Sequence, residues 1–142
     1  MARALELARS AAARDEVPVG AVLVRQETLL AEASNRTRVD SDPSAHAEVV
    51  AIRAAAAQQG DWRLLDTTLY VTLGPCAMCA GAIVLARIPR VVFAAHDPKA
   101  GMAGSLSNLL QDDRLNHRCE VVSGVLAAPA SRMLKSFFVA RR

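Results

Sequence analysis

The sequence predicts an α/β protein: a mixed five-stranded sheet between two layers of helices, a three-layer α/β/α sandwich. Three observations lead there. A β-branched run, Val17–Val24, and a second run, Thr28–Ser34, are separated only by Arg25-Gln26-Glu27, which reads as an antiparallel hairpin. After residue 45, helix-like and strand-like segments alternate, the pattern of parallel strands joined by crossover helices. The 142 residues hold no repeat and no linker of boundary length, so 1–142 reads as a single domain.

The elements follow in order. Leu5, Ala8 and Ala12 recur at helical spacing and predict a helix over about Arg3–Arg14. An Arg-, Ala- and Ser-rich start resembles a transit peptide, but Glu6, Asp15 and Glu16 interrupt it, so it is read as part of the domain. The hairpin comes next, then a polar, Pro-containing loop over Asn35–Ser44. Ser44 is placed to cap a helix from about Ala45 to Gln59 that stops at Gly60. Thr67–Leu73 reads as a strand broken by Gly74-Pro75. A helix over about Cys76–Arg87 and a strand over Arg90–Ala95 follow. Asp97 to Gly104 is a Gly-containing loop, Leu106–Leu110 a helical turn, Glu120–Val125 a strand, and Pro129 to Arg142 a last helix.

Composition narrows the class. The chain is 52% hydrophobic but only 4% aromatic, so its core must be built mainly from Ala, Val and Leu. No apolar run approaches the ~20 residues of a membrane span, so no membrane association is expected. Three cysteines, an odd number, argue against a disulfide framework and for a reducing cytoplasmic setting. Net charge is +3, unevenly placed: residues 1–75 carry 8 basic and 10 acidic side chains, residues 76–142 carry 9 and 4. A polyanionic substrate approaching one side would suit that asymmetry. Ordinary scatter over a solvated surface is the plainer explanation.

Two short motifs carry the chemistry: His46-Ala47-Glu48 and Pro75-Cys76-Ala77-Met78-Cys79. Each is expected at a helix start. Two thiols three residues apart on a helix point the same way, and a helix N-terminus favours the thiolate that binds metal. One imidazole and two thiolates leave a fourth zinc position open, which distinguishes a catalytic zinc from a structural one. Taken alone, Cys-x-x-Cys is equally a redox dithiol, and a single His at a helix start is more often a cap. A structural zinc would need a fourth ligand from Cys119, His96 or His117, none of which lies in a paired ligand spacing. Glu48 is then the group that moves protons, and the expected chemistry is hydrolysis by a metal-activated water.

The His-x-Glu…Pro-Cys-x-x-Cys pattern resembles that of zinc nucleobase deaminases, which implies hydrolytic deamination of an aromatic amidine-like carbon with release of ammonia. Beyond it, nearly the whole chain resembles the bacterial tRNA-specific adenosine deaminases of the cytidine deaminase-like superfamily. The resemblance runs through Glu16–Val24, Asn35-Arg36, Asp42–Glu48, Cys76–Ala82, Arg87–Phe93, Asp97–Gly101, Gly104–Leu106, Asn116–Arg118, Gly124–Leu126 and Phe137–Arg142. It implies one zinc per subunit on His46, Cys76 and Cys79, with Glu48 as catalytic proton shuttle. It implies Asn35 and Ala47 at the flipped purine and Asp97 at a neighbouring ribose. Lys99, Phe138, Arg141 and Arg142 would contact a tRNA anticodon loop. Phe137-Phe138 also suits helix packing, and Arg141-Arg142 suits a frayed basic tail equally well. The implied reaction turns adenosine into inosine at the wobble position of an arginine tRNA, and the implied assembly is a homodimer. A guanine, cytosine or nucleoside deaminase acting on a small free substrate is the alternative. The sequence departs from the family pattern at Gly74, where a Glu is usual, and at Arg142, beyond which some relatives carry a longer basic tail.

Overall fold

The computed structural model describes all 142 residues. Five strands form one mixed sheet in the order β2-β1-β3-β4-β5. They are β1 (Gly20–Arg25), β2 (Thr28–Ser34), β3 (Thr67–Leu73), β4 (Arg90–Ala95) and β5 (Glu120–Val122). β1 pairs antiparallel with β2 and with β3, while β3, β4 and β5 run parallel. Helices α1 (Ala2–Ala13) and α4 (Ala127–Val139) cover one face, and α2 (Ala47–Gln59) and α3 (Ala77–Leu85) cover the other. The predicted three-layer α/β/α sandwich with a mixed five-stranded sheet is what forms.

Side chains alternate across the strands, and that alternation sets the two cores. Ala21, Leu23, Leu69, Val71, Val91 and Phe93 point to the α2/α3 side. There they meet Ala47, Ala51, Ala55, Ala80 and Ile83 in the main core. Ala94, Ala95, Leu5 and Ala130 make a smaller core under α1 and α4. Alanine on the helices lets both lie close to the sheet, which is how a core with few aromatics fills its space.

The closest approach is at Gly20. A Cβ there would lie 1.9 Å from the Ala4 carbonyl oxygen and 2.9 Å from the Ala8 nitrogen, both backbone atoms of α1. Gly20→Ala should therefore displace α1 from the sheet. The expected cost is about 3 kcal/mol, the upper end for overpacking. A melting temperature lowered by ~10 °C would show this; an unchanged melt would contradict it.

Several boundaries differ from the sequence expectation, each for a local reason. β1 begins at Gly20 rather than Val17, because Pro18 has no N–H to add to the ladder and Val19 donates back to the Val17 carbonyl. His46, not Ser44, occupies the N-cap position of α2, with no side-chain bond to the helix; Ser44 instead donates its N–H and Oγ to the Asp42 carboxylate, at 2.8 and 2.7 Å. α3 stops at Leu85 rather than Arg87, which sits at φ +62° before Ile88-Pro89. The predicted turn at Leu106–Leu110 forms later, at Leu109–Gln111, because Leu106 first donates back to the Gly101 carbonyl. β5 ends at Val122, where Gly124 turns at φ +85° and donates to Ala94. α4 begins at Ala127, placing Pro129 in its first turn, where a missing N–H costs nothing.

Candidate active site

The C-terminal ends of β2, β3 and β4 and the approach to β1 open at the same edge of the sheet. That edge is where α/β folds place ligand crevices. β3 leads through Gly74-Pro75 into Cys76, the N-cap of α3, and the polar loop after β2 leads into His46, the N-cap of α2. The two helix N-termini therefore converge. His46 Nδ1 lies 3.6 Å from Cys76 Sγ and 3.4 Å from Cys79 Sγ. Ligand atoms of His46, Cys76 and Cys79 all fall within 4.8 Å of one another, so these three residues could hold a metal ion. Cys79 is buried; Cys76 and His46 are half-buried and face a pocket.

The electrostatics of the cluster are those of a proton-sharing triad. The Cys79 thiol, followed by the His46 imidazole, holds the Cys76 thiol down to about 3. Cys79, donating to that thiolate and buried, is pushed well up. His46 is raised by its bond to Cys76. Burial raises Glu48, whose carboxyl sits in the first turn of α2 with 4% exposure. A metal cation entering here takes the place of the shared proton.

None of Cys119, His117 and His96 joins the cluster. Cys119 donates its Sγ to the Ile88 carbonyl at 3.1 Å, and burial pushes its thiol up to about 11. His117 Nε2 meets the same carbonyl at 2.6 Å, and His96 is exposed beside Ser105. The expected outcome for Cys119→Ala is an unchanged metal content, measured by atomic emission on purified protein. A drop would make Cys119 a fourth ligand.

The pocket above the cluster measures about 260 Å³. That is below the ~300–1,000 Å³ of a drug-sized ligand's site, so it suits one heteroaromatic ring with part of its sugar. His46, Glu48, Cys76, Asn35 and Asp97 all line it, with Thr37, Val17, Val19 and Gly74. Asp97 Oδ1 accepts from the Lys99 and Ala100 N–H groups at 3.0 and 3.2 Å, which folds the loop over the rim. At Gly74 a Cβ would make only ordinary contact, 3.4 Å from Phe93, so the position has room for a side chain.

The remaining residues singled out in the sequence lie elsewhere. Ala47 is fully buried in the main core, at the first position of α2. Lys99 is exposed on the loop beside the pocket. Phe138 and Arg141 belong to α4 and its C-terminal turn. Phe137 packs inward and Phe138 is exposed, with the two rings edge to face at 5.3 Å. The Arg141 guanidinium pairs with Asp15 at 2.8 Å and stacks 3.5 Å above the Phe137 ring. The sequence reading singled out neither Thr37, which lines the pocket, nor Glu16, which lies behind its wall. The signal for Glu16 was an acidic residue, the second of the Asp15-Glu16 pair, leading directly into an apolar strand-like run.

Comparison with known proteins fits this geometry. The profile of the MafB19-like deaminases matches residues 1–142. The tRNA-specific adenosine deaminase of Bacillus subtilis is 50% identical over 97% of this chain and 86% of its own. The protein of that name from Haemophilus influenzae is 51% identical over 100% of this chain and 83% of its own. A structure solved in a study of A-to-I editing by tRNA:A34 deaminases superposes with a TM-score of 0.89 at 45% identity, over 92% of this chain and 95% of that one. Guanine deaminase of Bacillus subtilis superposes less completely: TM-score 0.67 at 42% identity, over 73% of this chain and 67% of that one.

Proposed function

Because this chain belongs to the MafB19-like deaminase family, within it to the tRNA-specific adenosine deaminases, we propose that it converts adenosine to inosine at the wobble position of tRNA. An arginine tRNA is the expected substrate. One observation carries the reading: a buried carboxylate, Glu48, shares a base-sized pocket with a three-ligand metal cluster.

Zinc fits the cluster. Bonds of ~2.3 Å to sulfur and ~2.0–2.1 Å to nitrogen at tetrahedral angles separate the two ligand atoms by about 3.5 Å. The 3.6 and 3.4 Å separations in this structure match that spacing. His46, Cys76 and Cys79 would hold one zinc per subunit. When bound with an open position, zinc supplies a water acidified to a pKa near ~7.

The chain's own residues do the rest. Glu48 accepts the proton of the attacking water and hands it to the ring nitrogen next to the amine-bearing carbon. It then passes a second proton to the amine, which leaves as ammonia, and the carbon keeps the water oxygen. Asn35 anchors the flipped base with Ala47 beside it, Asp97 sits at the neighbouring ribose, and backbone N–H groups at the starts of α2 and α3 help hold the charge that develops. Lys99, Phe138, Arg141 and Arg142 would meet the anticodon loop. An unpaired loop base suits a pocket of this size, since extruding it costs less than opening a duplex.

The protein works as a homodimer in the cytoplasm. No helix is long and apolar enough to cross a membrane. Support for the dimer comes from the α2/α3 face, where Trp62 (59%), Leu85 (68%) and Met78 are exposed around a groove of about 390 Å³. Apolar groups gathered on one face commonly mark an interface. Light scattering should find a dimer for the native chain and a monomer for Leu85→Glu; a native monomer would sink the assembly.

The activity is tested with an anticodon stem-loop carrying adenosine at the wobble position, alongside free adenosine, cytidine and guanine. Inosine in the stem-loop alone is the expected result. Turnover of guanine with the stem-loop untouched would replace this reading with the small-substrate one, which the likeness to guanine deaminase would then explain.

A further inference from the structure

Glu16 touches neither the metal cluster nor the pocket space, yet it is fully buried (0% exposed). An isolated buried carboxylate is costly, and this one is offset by four donors. Oε1 accepts from the backbone N–H groups of Arg38 and Val39, at 2.7 and 2.9 Å. Oε2 accepts from Asn35 Nδ2 at 3.1 Å and from Thr37 Oγ1 at 3.3 Å. Nδ2 of Asn35 also donates to Thr37 Oγ1 at 3.2 Å. Both hydrogens of that amide are thus committed to protein, and its Oδ1 has no protein partner. One carboxylate ties down every residue from Asn35 to Val39 except Arg36, and two of them, Asn35 and Thr37, line the pocket.

We propose that Glu16 is a specificity-determining positioning residue: it holds the Asn35–Val39 wall of the base pocket and dictates which end of the Asn35 amide meets the substrate. The inference rests on the functional reading above for the identity of that substrate. Its physical basis is the donor inventory. An ionised carboxylate only accepts hydrogen bonds, so Asn35 must offer it Nδ2 and keep Oδ1 free. Glu16→Gln keeps the size and one acceptor for the Arg38 and Val39 N–H groups, but replaces the other acceptor with an NH2. The Asn35 amide then has to turn over, and the pocket receives a donor where it had an acceptor. A base seated against the wrong polarity reacts poorly even when it is bound, because the reacting atoms are no longer aligned.

The test is a double-mutant cycle on the zinc-loaded protein with the wobble-adenosine stem-loop. Glu16→Gln should lower kcat by about 10- to 100-fold and leave KM within about threefold, since the rest of the loop is gripped outside the pocket. Zinc content should stay at one per subunit. Asn35→Ala should lose a comparable factor, and the double variant should be no worse than the poorer single variant within about threefold, because both act through one amide. Losses that multiply, or a rise in KM with kcat intact, would overturn the proposal. Should Glu16→Gln fail to fold, Thr37→Val breaks the same network at its other corner. It should lower kcat about 3- to 10-fold alone and have no effect in the Asn35→Ala background; independence there overturns the proposal. If the native protein turns over guanine and not the stem-loop, the functional reading falls, and the same cycle run on guanine still decides the role of Glu16.

Discussion

Glu48→Gln is expected to retain one zinc per subunit and a native fold while losing deamination by at least about 10³-fold, the range for removing a general acid–base group that acts in more than one proton transfer. The substitution keeps the volume of a side chain that is 4% exposed in the first turn of α2 and removes only its ability to take and return a proton. A second, independent signature follows from burial. In metal-free protein the Glu48 carboxyl is raised above its ordinary value by desolvation. The folded state then binds that proton more tightly than the unfolded chain. Its contribution to stability is complete below the ordinary carboxyl range and is lost as pH rises through the raised value. Melting of metal-free Glu48→Gln should therefore decline less with rising pH than that of the metal-free native chain. Near-native inosine formation by Glu48→Gln would remove Glu48 from the mechanism.

His46→Ala and Cys79→Ala should lose both metal and activity. Removing one of three ligands from a cluster spanning less than 4.8 Å leaves two donors, too few to fix a tetrahedral ion. Binding to the folded state stabilises it by about 3–4 kcal/mol when free zinc exceeds its Kd by 100- to 1,000-fold. Melting should fall accordingly, and a chelator should bring the native chain down to the level of His46→Ala. Cys79→Ala should fall further, because it also empties a fully buried position in the helix. Full zinc content in His46→Ala would mean that the ion sits elsewhere.

The metal cluster was legible because three residue types at fixed spacings determine it. Placing His46 and the two cysteines at helix starts is enough to bring them together once the sheet forms. The sheet was legible for a similar reason: β2, β3 and β4 formed at the predicted residues, since the hairpin run and the Thr67–Leu73 and Arg90–Ala95 runs have no competing pattern. What escaped was long-range hydrogen bonding. Ser44 has every local mark of a cap, yet the Asp42 carboxylate two residues back claims its hydroxyl, and the chain runs on to His46. Glu16 and Thr37 are 21 residues apart and meet only because β1 and β2 pair. Gly20 likewise carried no sign that the backbone of α1 would lie on it.

The most direct measurement is inosine and ammonia release from the wobble-adenosine stem-loop by the protein stripped of metal and then titrated with zinc. The account predicts no turnover when stripped, recovery that saturates at one zinc per subunit, and one ammonia for each inosine formed. Turnover that persists without metal, or a zinc-saturated protein that leaves the adenosine intact, would contradict it.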